Sequence, residues 1–104
     1  MKRKLYVVKD MASDMVHRVY ECGSDELAKR DLSIIVNGPK DNAMALFASD
    51  MRLYRIGSFD PSDMLLESDV TFICSLDALF DAELHKQICS IMNTESEDKW
   101  IGKS

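Results

Sequence analysis

The sequence predicts an α+β domain: a small antiparallel sheet of three to five short strands packed against two main helices, with a flexible C-terminal tail. Three observations carry this expectation. Short stretches rich in Val, Tyr and Ile sit near the N-terminus and in the middle of the chain. Two other stretches repeat apolar residues at helical spacing behind a serine. Clusters of Gly, Pro, Asp and Asn separate these stretches. At 104 residues, 46% of them hydrophobic, the chain fits about one domain and can fill a core without a disulfide or metal staple. The expected domain spans residues 1–93, and residues 94–104 form a polar, acidic tail.

Leu5 to Val8 is a β-branched and aromatic run that predicts a first strand, ended by the turn-prone segment Asp10 to Asp14. From Val16 to Cys22 the residues Val16, Arg18 and Tyr20 alternate with His17, Val19 and Glu21, the period of a half-buried strand. These two strands form a hairpin. Ser24 is suited to cap a helix, because its hydroxyl can accept a free amide hydrogen of the first turn. Asp25 and Glu26 place negative charge at the positive end of that helix. Ala28, Leu32, Ile35 and Val36 line one stripe, and Gly38-Pro39 ends it.

Asp41 to Ser49 reads either as a short helix capped by Asp41 or as a packed loop. Met51 to Phe59 predicts a strand, closed by the Asp60-Pro61-Ser62-Asp63 turn. Met64-Leu65-Leu66 and Val70 to Cys74 are short apolar runs compatible with strands. Ser75 is then placed to cap a second helix, with Leu76, Phe80, Leu84, Ile88, Ile91 and Met92 along one face. Trp100-Ile101 is an apolar dipeptide within the acidic tail.

The composition points away from chemistry and toward binding. Cys22, Cys74 and Cys89 are too widely spaced for a zinc site, which needs close ligand pairs, and none of them pairs with His17 or His85. Such free thiols suit a reducing cytosol. His85 and Cys89 share a helical face, but no glycine-rich turn offers an oxyanion site and Cys89 flanks the apolar stripe, so a structural role is expected. The carboxylate pairs Asp60 with Asp63, Asp77 with Asp81, and Glu95 with Glu97 and Asp98 fall in solvated turns, a first helical turn and the tail. Acid–base work needs one carboxyl desolvated. No phosphate-binding, dinucleotide-binding or calcium-loop spacing occurs. No cofactor and no metal are expected, and the chain is not expected to be an enzyme. Leu5 to Val8 is shorter than the roughly 7 apolar residues of a signal peptide core or the roughly 20 of a membrane span, so neither export nor membrane insertion is expected.

Charge is unevenly distributed. Residues 1–40 hold eight Lys or Arg and six Asp or Glu, whereas residues 41–104 hold five and twelve, giving a net charge of −5. Bulk charge therefore opposes binding to phosphate backbones, and a local basic face on the first half is the remaining route to nucleic acid. Its candidates are Lys2, Arg3, Lys4 and Lys9 around the first strand, Arg18 on the second, and Lys29 and Arg30 on the first helix. Arg52 and Arg55 flank Tyr54 on the third strand. Basic groups interleaved with Tyr6, Tyr20 and Tyr54 suit phosphate contact and base stacking, while the plain alternative is solvated cations over core tyrosines.

Three segments carry a family resemblance: Leu5-Tyr6-Val7-Val8-Lys9-Asp10, Ala28-Lys29-Arg30-Asp31-Leu32, and Asp50-Met51-Arg52-Leu53-Tyr54-Arg55-Ile56-Gly57-Ser58-Phe59-Asp60. Together they resemble the small nonstructural protein of gokushovirus-type microviruses, which are tiny single-stranded DNA phages. Leu32 departs from that family's usual Phe, and the resemblance covers roughly the first 60 residues. It implies a non-enzymatic phage protein that binds single-stranded DNA or the viral replication and packaging proteins. Its place would be the switch from double-stranded replication to single-stranded genome synthesis and packaging, in the host cell cytoplasm. Arg30 matches the family's helix Arg, and Arg52 and Arg55 flank its strand Tyr, so these are the expected contacts. Gly57 is expected to serve backbone geometry and Phe59 to pack. The alternative is a protein–protein adaptor or inhibitor of a host factor, working through the acidic second half. An exposed strand edge would also allow a homodimer.

Overall fold

The computed structural model describes residues 2–91. Four antiparallel strands form one sheet: β1 (Arg3–Asp10), β2 (Met15–Cys22), β3 (Met51–Phe59) and β4 (Leu66–Ser75), in the order β2-β1-β3-β4. Helix α1 (Asp25–Val36) follows the β1–β2 hairpin, and the short helix α2 (Ala43–Leu46) and a 3-10 turn lead into β3. After β4 come a second 3-10 turn at Leu76–Leu79 and a helix over 82–91, here α3. The architecture is α+β, with the helices on one side of the sheet.

Local chemistry accounts for most of these elements. Ser24 caps α1 as its position predicts, its hydroxyl accepting the Leu27 amide hydrogen at 3.2 Å. Ala28, Leu32 and Val36 are buried and form the stripe that meets the sheet. From the sheet, Tyr6, Val8 and Leu53 are wholly buried beneath it, joined by Met51 and Leu76. Burying each such aliphatic side chain stabilises the fold by about 1.5–3 kcal/mol. Tyr6 and Tyr20 stack at 5.7 Å within this layer, and the Tyr20 hydroxyl donates to the Ala28 carbonyl.

Three expectations change. Asn42 rather than Asp41 caps α2, its side chain accepting from the Ala45 amide. The separate apolar runs after Asp63 resolve into one ten-residue strand, Leu66–Ser75, with Met64 and Leu65 in the connection between the preceding turn and that strand. The single helix expected from Ser75 is broken. Ser75 makes no capping bond, residues Leu76–Leu79 form a 3-10 turn, and Phe80 is extended at φ −67, ψ 132. A new helix then starts under Asp81, whose carboxylate accepts from the Glu83 and Leu84 amides. Met92 and the tail residues 94–104, including Trp100-Ile101, lie outside the described residues.

Asn37 explains the break. It is the buried polar residue of the core, 0% exposed. Its side-chain amide donates to the Ser33 and Leu79 carbonyls, and its side-chain oxygen accepts from the Asp81 amide. Asn37 thus satisfies the backbone groups that the interruption at Phe80 frees and that a continuous helix would have paired internally.

Candidate functional site

Strand alternation sorts the side chains onto two faces. The face toward α1 holds Tyr6, Val8 and Leu53. The other face carries no element among the described residues, and the registers define its rows. Val19, Val7, Tyr54 and Phe72 are neighbours in one row across all four strands. Val16, Lys9, Arg52 and Ser75 form the next row toward one end. Glu21, Leu5, Gly57 and Ser68 form the row toward the other.

The central row is apolar; Val7 at its middle is buried, Tyr54 is half-buried, and the two outer members are open to solvent. Val19 is 61% exposed and Phe72 is 54% exposed. The Tyr54 and Phe72 rings meet edge to face, centroids 5.7 Å apart and planes at 64°. Beside Tyr54, a shallow cavity of about 340 Å³ is lined by Val7, Lys9, Tyr54, Ile56 and Val70. Ile56 reaches this face because a bulge between Arg55 and Gly57 adds a residue to the strand.

Two cations border the apolar row. The Lys9 ammonium pairs with Asp14 at 2.8 Å, and the hydrogen bond to that carboxylate holds its pKa above the usual lysine value. Arg52 donates to the Ser49 and Met51 carbonyls and to the Ser75 hydroxyl. It has no carboxylate within ion-pair distance among the described residues, so its charge is uncompensated there.

The basic face expected on the first half is not assembled. Of the ten candidates, Arg3, Lys9, Arg52 and Tyr54 share the open face. Lys4, Arg18 and Arg55 alternate onto the opposite side, because residues an odd number of positions apart on a regular strand point to opposite faces. Lys29 and Arg30 stand on α1, and Lys2 precedes β1. Five of them are neutralised locally: Lys2 by Glu67, Arg3 by Glu21, Lys9 by Asp14, Lys29 by Glu26, and Arg55 by Asp25 and Asp69. Arg18 lies 5.5 Å over the Tyr20 ring. The wholly buried Tyr6 offers no ring face to a base.

Sequence reasoning missed Val19, Ile56, Val70 and Phe72. The available signal was Leu5-Tyr6-Val7-Val8, where both alternating positions are apolar, the mark of a strand meant to be covered on both faces. His85 and Cys89 do meet, the sulfur lying 3.7 and 3.9 Å from the ring nitrogens. The His85 Nδ1 is engaged by the Asn37 carbonyl at 2.9 Å, which requires that nitrogen to carry the hydrogen. This bond ties α3 to the end of α1. Among the described residues no group of three His, Cys, Asp or Glu could hold a metal ion, and no helix is long and apolar enough to cross a membrane.

A family model described as Phage ORF5 protein matches residues 3–79. The chain belongs to the Phage ORF5 protein family. No curated protein and no solved structure matches it. The Phage ORF5 match takes in all four strands, α1 and α2, and stops at Leu79, one residue before the Phe80 break. The open sheet face therefore falls wholly within the family region, and α3 falls outside it.

Proposed function

We propose that this phage accessory protein is a non-enzymatic binder of single-stranded DNA, and that the open face of its sheet is the binding surface. Its place is the passage from double-stranded replication to single-stranded genome synthesis and packaging of a gokushovirus-type microvirus, in the host cytoplasm. The observation that carries the reading is the edge-to-face pair of half-buried Tyr54 and exposed Phe72, beside Arg52, which has no carboxylate within ion-pair distance among the described residues. Bases present a flat apolar surface whatever their identity, so aromatic rings on an open sheet hold single strands with little sequence preference. Arg52 and Lys9 are placed to meet phosphates at one end of the row. With a net charge of −5 the molecule as a whole repels DNA, so stacking must supply most of the affinity.

Fluorescence anisotropy with a labelled oligothymidine tests this. Tyr54→Ala and Phe72→Ala are each expected to weaken binding by roughly 5- to 150-fold, from about 1–3 kcal/mol per stacked base. Arg30→Ala, away from this face, leaves binding unchanged. Absence of binding by the unaltered protein at low salt overturns the proposal. The apolar row then favours the second reading, in which the same face docks a protein of the replication and packaging machinery.

A further inference from the structure

We propose that the open sheet face is also a self-association surface, covered in the absence of ligand by the open face of a second copy of this chain. An apolar sheet face is stable when another layer covers it, and among the described residues the helices supply a layer on one side only. On the other side Leu5, Val7, Val19, Tyr54, Val70 and Phe72 are contiguous, with Val70 75% exposed. Charged side chains stand only at the ends of this face, Arg3 with Glu21 at one and Lys9 with Arg52 at the other. An uncharged centre with aromatic residues and a charged rim is the anatomy of a protein–protein interface.

Size and symmetry single out a second copy as the occupant. Strands of eight to ten residues, four abreast, give a footprint of about 26 by 19 Å, or about 500 Å² before side-chain relief. Relief and the flanking Val16 and Leu66, 56% and 59% exposed, bring this toward the roughly 800 Å² per partner of a stable interface. A two-fold axis lying across the strands sets the central row of one copy on that of the other, about 10 Å apart, as in sheet-on-sheet packing. It also lays the Lys9–Arg52 end over the Arg3–Glu21 end, which keeps like ends apart. An anionic lipid surface is a poor occupant, since a chain of net charge −5 is repelled by it.

Single-stranded DNA and the second copy would then compete for one face, a step that rests on the function proposed above. Sedimentation equilibrium of the full chain, with and without oligothymidine, tests both. The unaltered protein is expected to dimerise with rising concentration. Val70→Asp, at a position too exposed to disturb the core, is expected to be monomeric with an unchanged circular dichroism spectrum. Ile34→Asp, which removes an exposed apolar side chain of α1, is expected to dimerise normally. A protein that stays monomeric at all concentrations, or a Val70→Asp dimer, overturns the self-association. Oligothymidine is expected to convert the dimer to a monomer–DNA complex, and DNA bound to an intact dimer overturns the shared face. A dimer that binds no DNA sinks the DNA reading alone, and a monomer that binds it sinks the dimer alone.

Discussion

The Asn37 side-chain oxygen accepts the backbone amide hydrogen of Asp81 at 2.7 Å, joining the end of α1 to the start of α3 across 44 residues of chain. The same side chain donates to the Leu79 carbonyl, so one buried residue spans the break at Phe80. Asn37→Ala leaves the Leu79 carbonyl and the Asp81 amide without those partners. At about 1–3 kcal/mol per orphaned buried group, a loss of about 2–6 kcal/mol is expected in urea unfolding. A loss below about 0.5 kcal/mol would mean that water replaces the side chain and that the break has another cause.

Gly57 serves close backbone approach. A Cβ built on it lies 2.5 Å from the Glu67 carbonyl oxygen on the neighbouring strand, closer than real contacts permit. Backbone cannot step aside as a flexible side chain does, so Gly57→Ala must separate β3 from β4 at the bulge. A destabilisation of about 1–3 kcal/mol is expected. Hydrogen exchange provides the sharper readout: amides of β4 near Ser68 lose protection while those of β1 keep theirs.

How far the sequence revealed this fold follows from which signals are local. The α1 cap and stripe, the β1–β2 hairpin and β3 were legible because Ser24, the apolar spacing and the turn residues act within a few positions. The break at Phe80 was not, because steps of four and three fit a straight helix, and the residue that interrupts it, Asn37, lies some forty positions away. The candidate site was legible only in part. Tyr54, Arg52 and Lys9 were visible as an aromatic with nearby cations. That Arg55 turns toward Asp25 while Arg52 turns outward depends on strand parity, and the partners of Lys2 and Arg3 depend on sheet order. Phe72 stood only as one residue of a short apolar run, and its exposure depends on β4 being an edge strand with one face open.

Asp25 gives the fold a pH dependence. Burial pushes its carboxyl up, but hydrogen bonds from the Tyr6 hydroxyl at 2.5 Å and from Arg55 at 2.6 Å outweigh this, and its pKa lies below the usual aspartate value. A group depressed on folding adds stability above its unfolded pKa of about 3.9, and this is lost as pH falls through the folded value. Asp25→Asn keeps an acceptor for Tyr6 but removes the charge facing Arg55. The variant should be less stable at neutral pH by about 1 kcal/mol, a modest figure because the pair is partly solvated. Denaturation at a series of pH values should show this gap closing below about pH 4. A gap that stays constant with pH would place the effect in packing rather than charge.

Salt dependence separates the two ways this protein could hold DNA. A strand bound along a track of the nine cationic candidates would release many counterions, and affinity would fall steeply with salt. Six of those candidates now stand off the open face, and Arg3 is held by Glu21 at its far end. Only Lys9 and Arg52 remain beside the aromatic row. Each phosphate contact with single strands adds about −0.7 to the slope of log affinity against log salt, so two contacts give about −1.4. Arg52→Ala should reduce that slope to about −0.7, whereas Phe72→Ala should lower affinity at every salt concentration and leave the slope alone. Arg55→Ala acts oppositely to both, costing stability through the lost Asp25 pair while binding keeps its strength and slope. A slope of about −4 or steeper in the unaltered protein would require about six or more phosphate contacts, more than the open face offers. The ion pairs of Lys2, Lys29 and Arg55 would then have to open on binding, and the surface would lie elsewhere than on Tyr54 and Phe72.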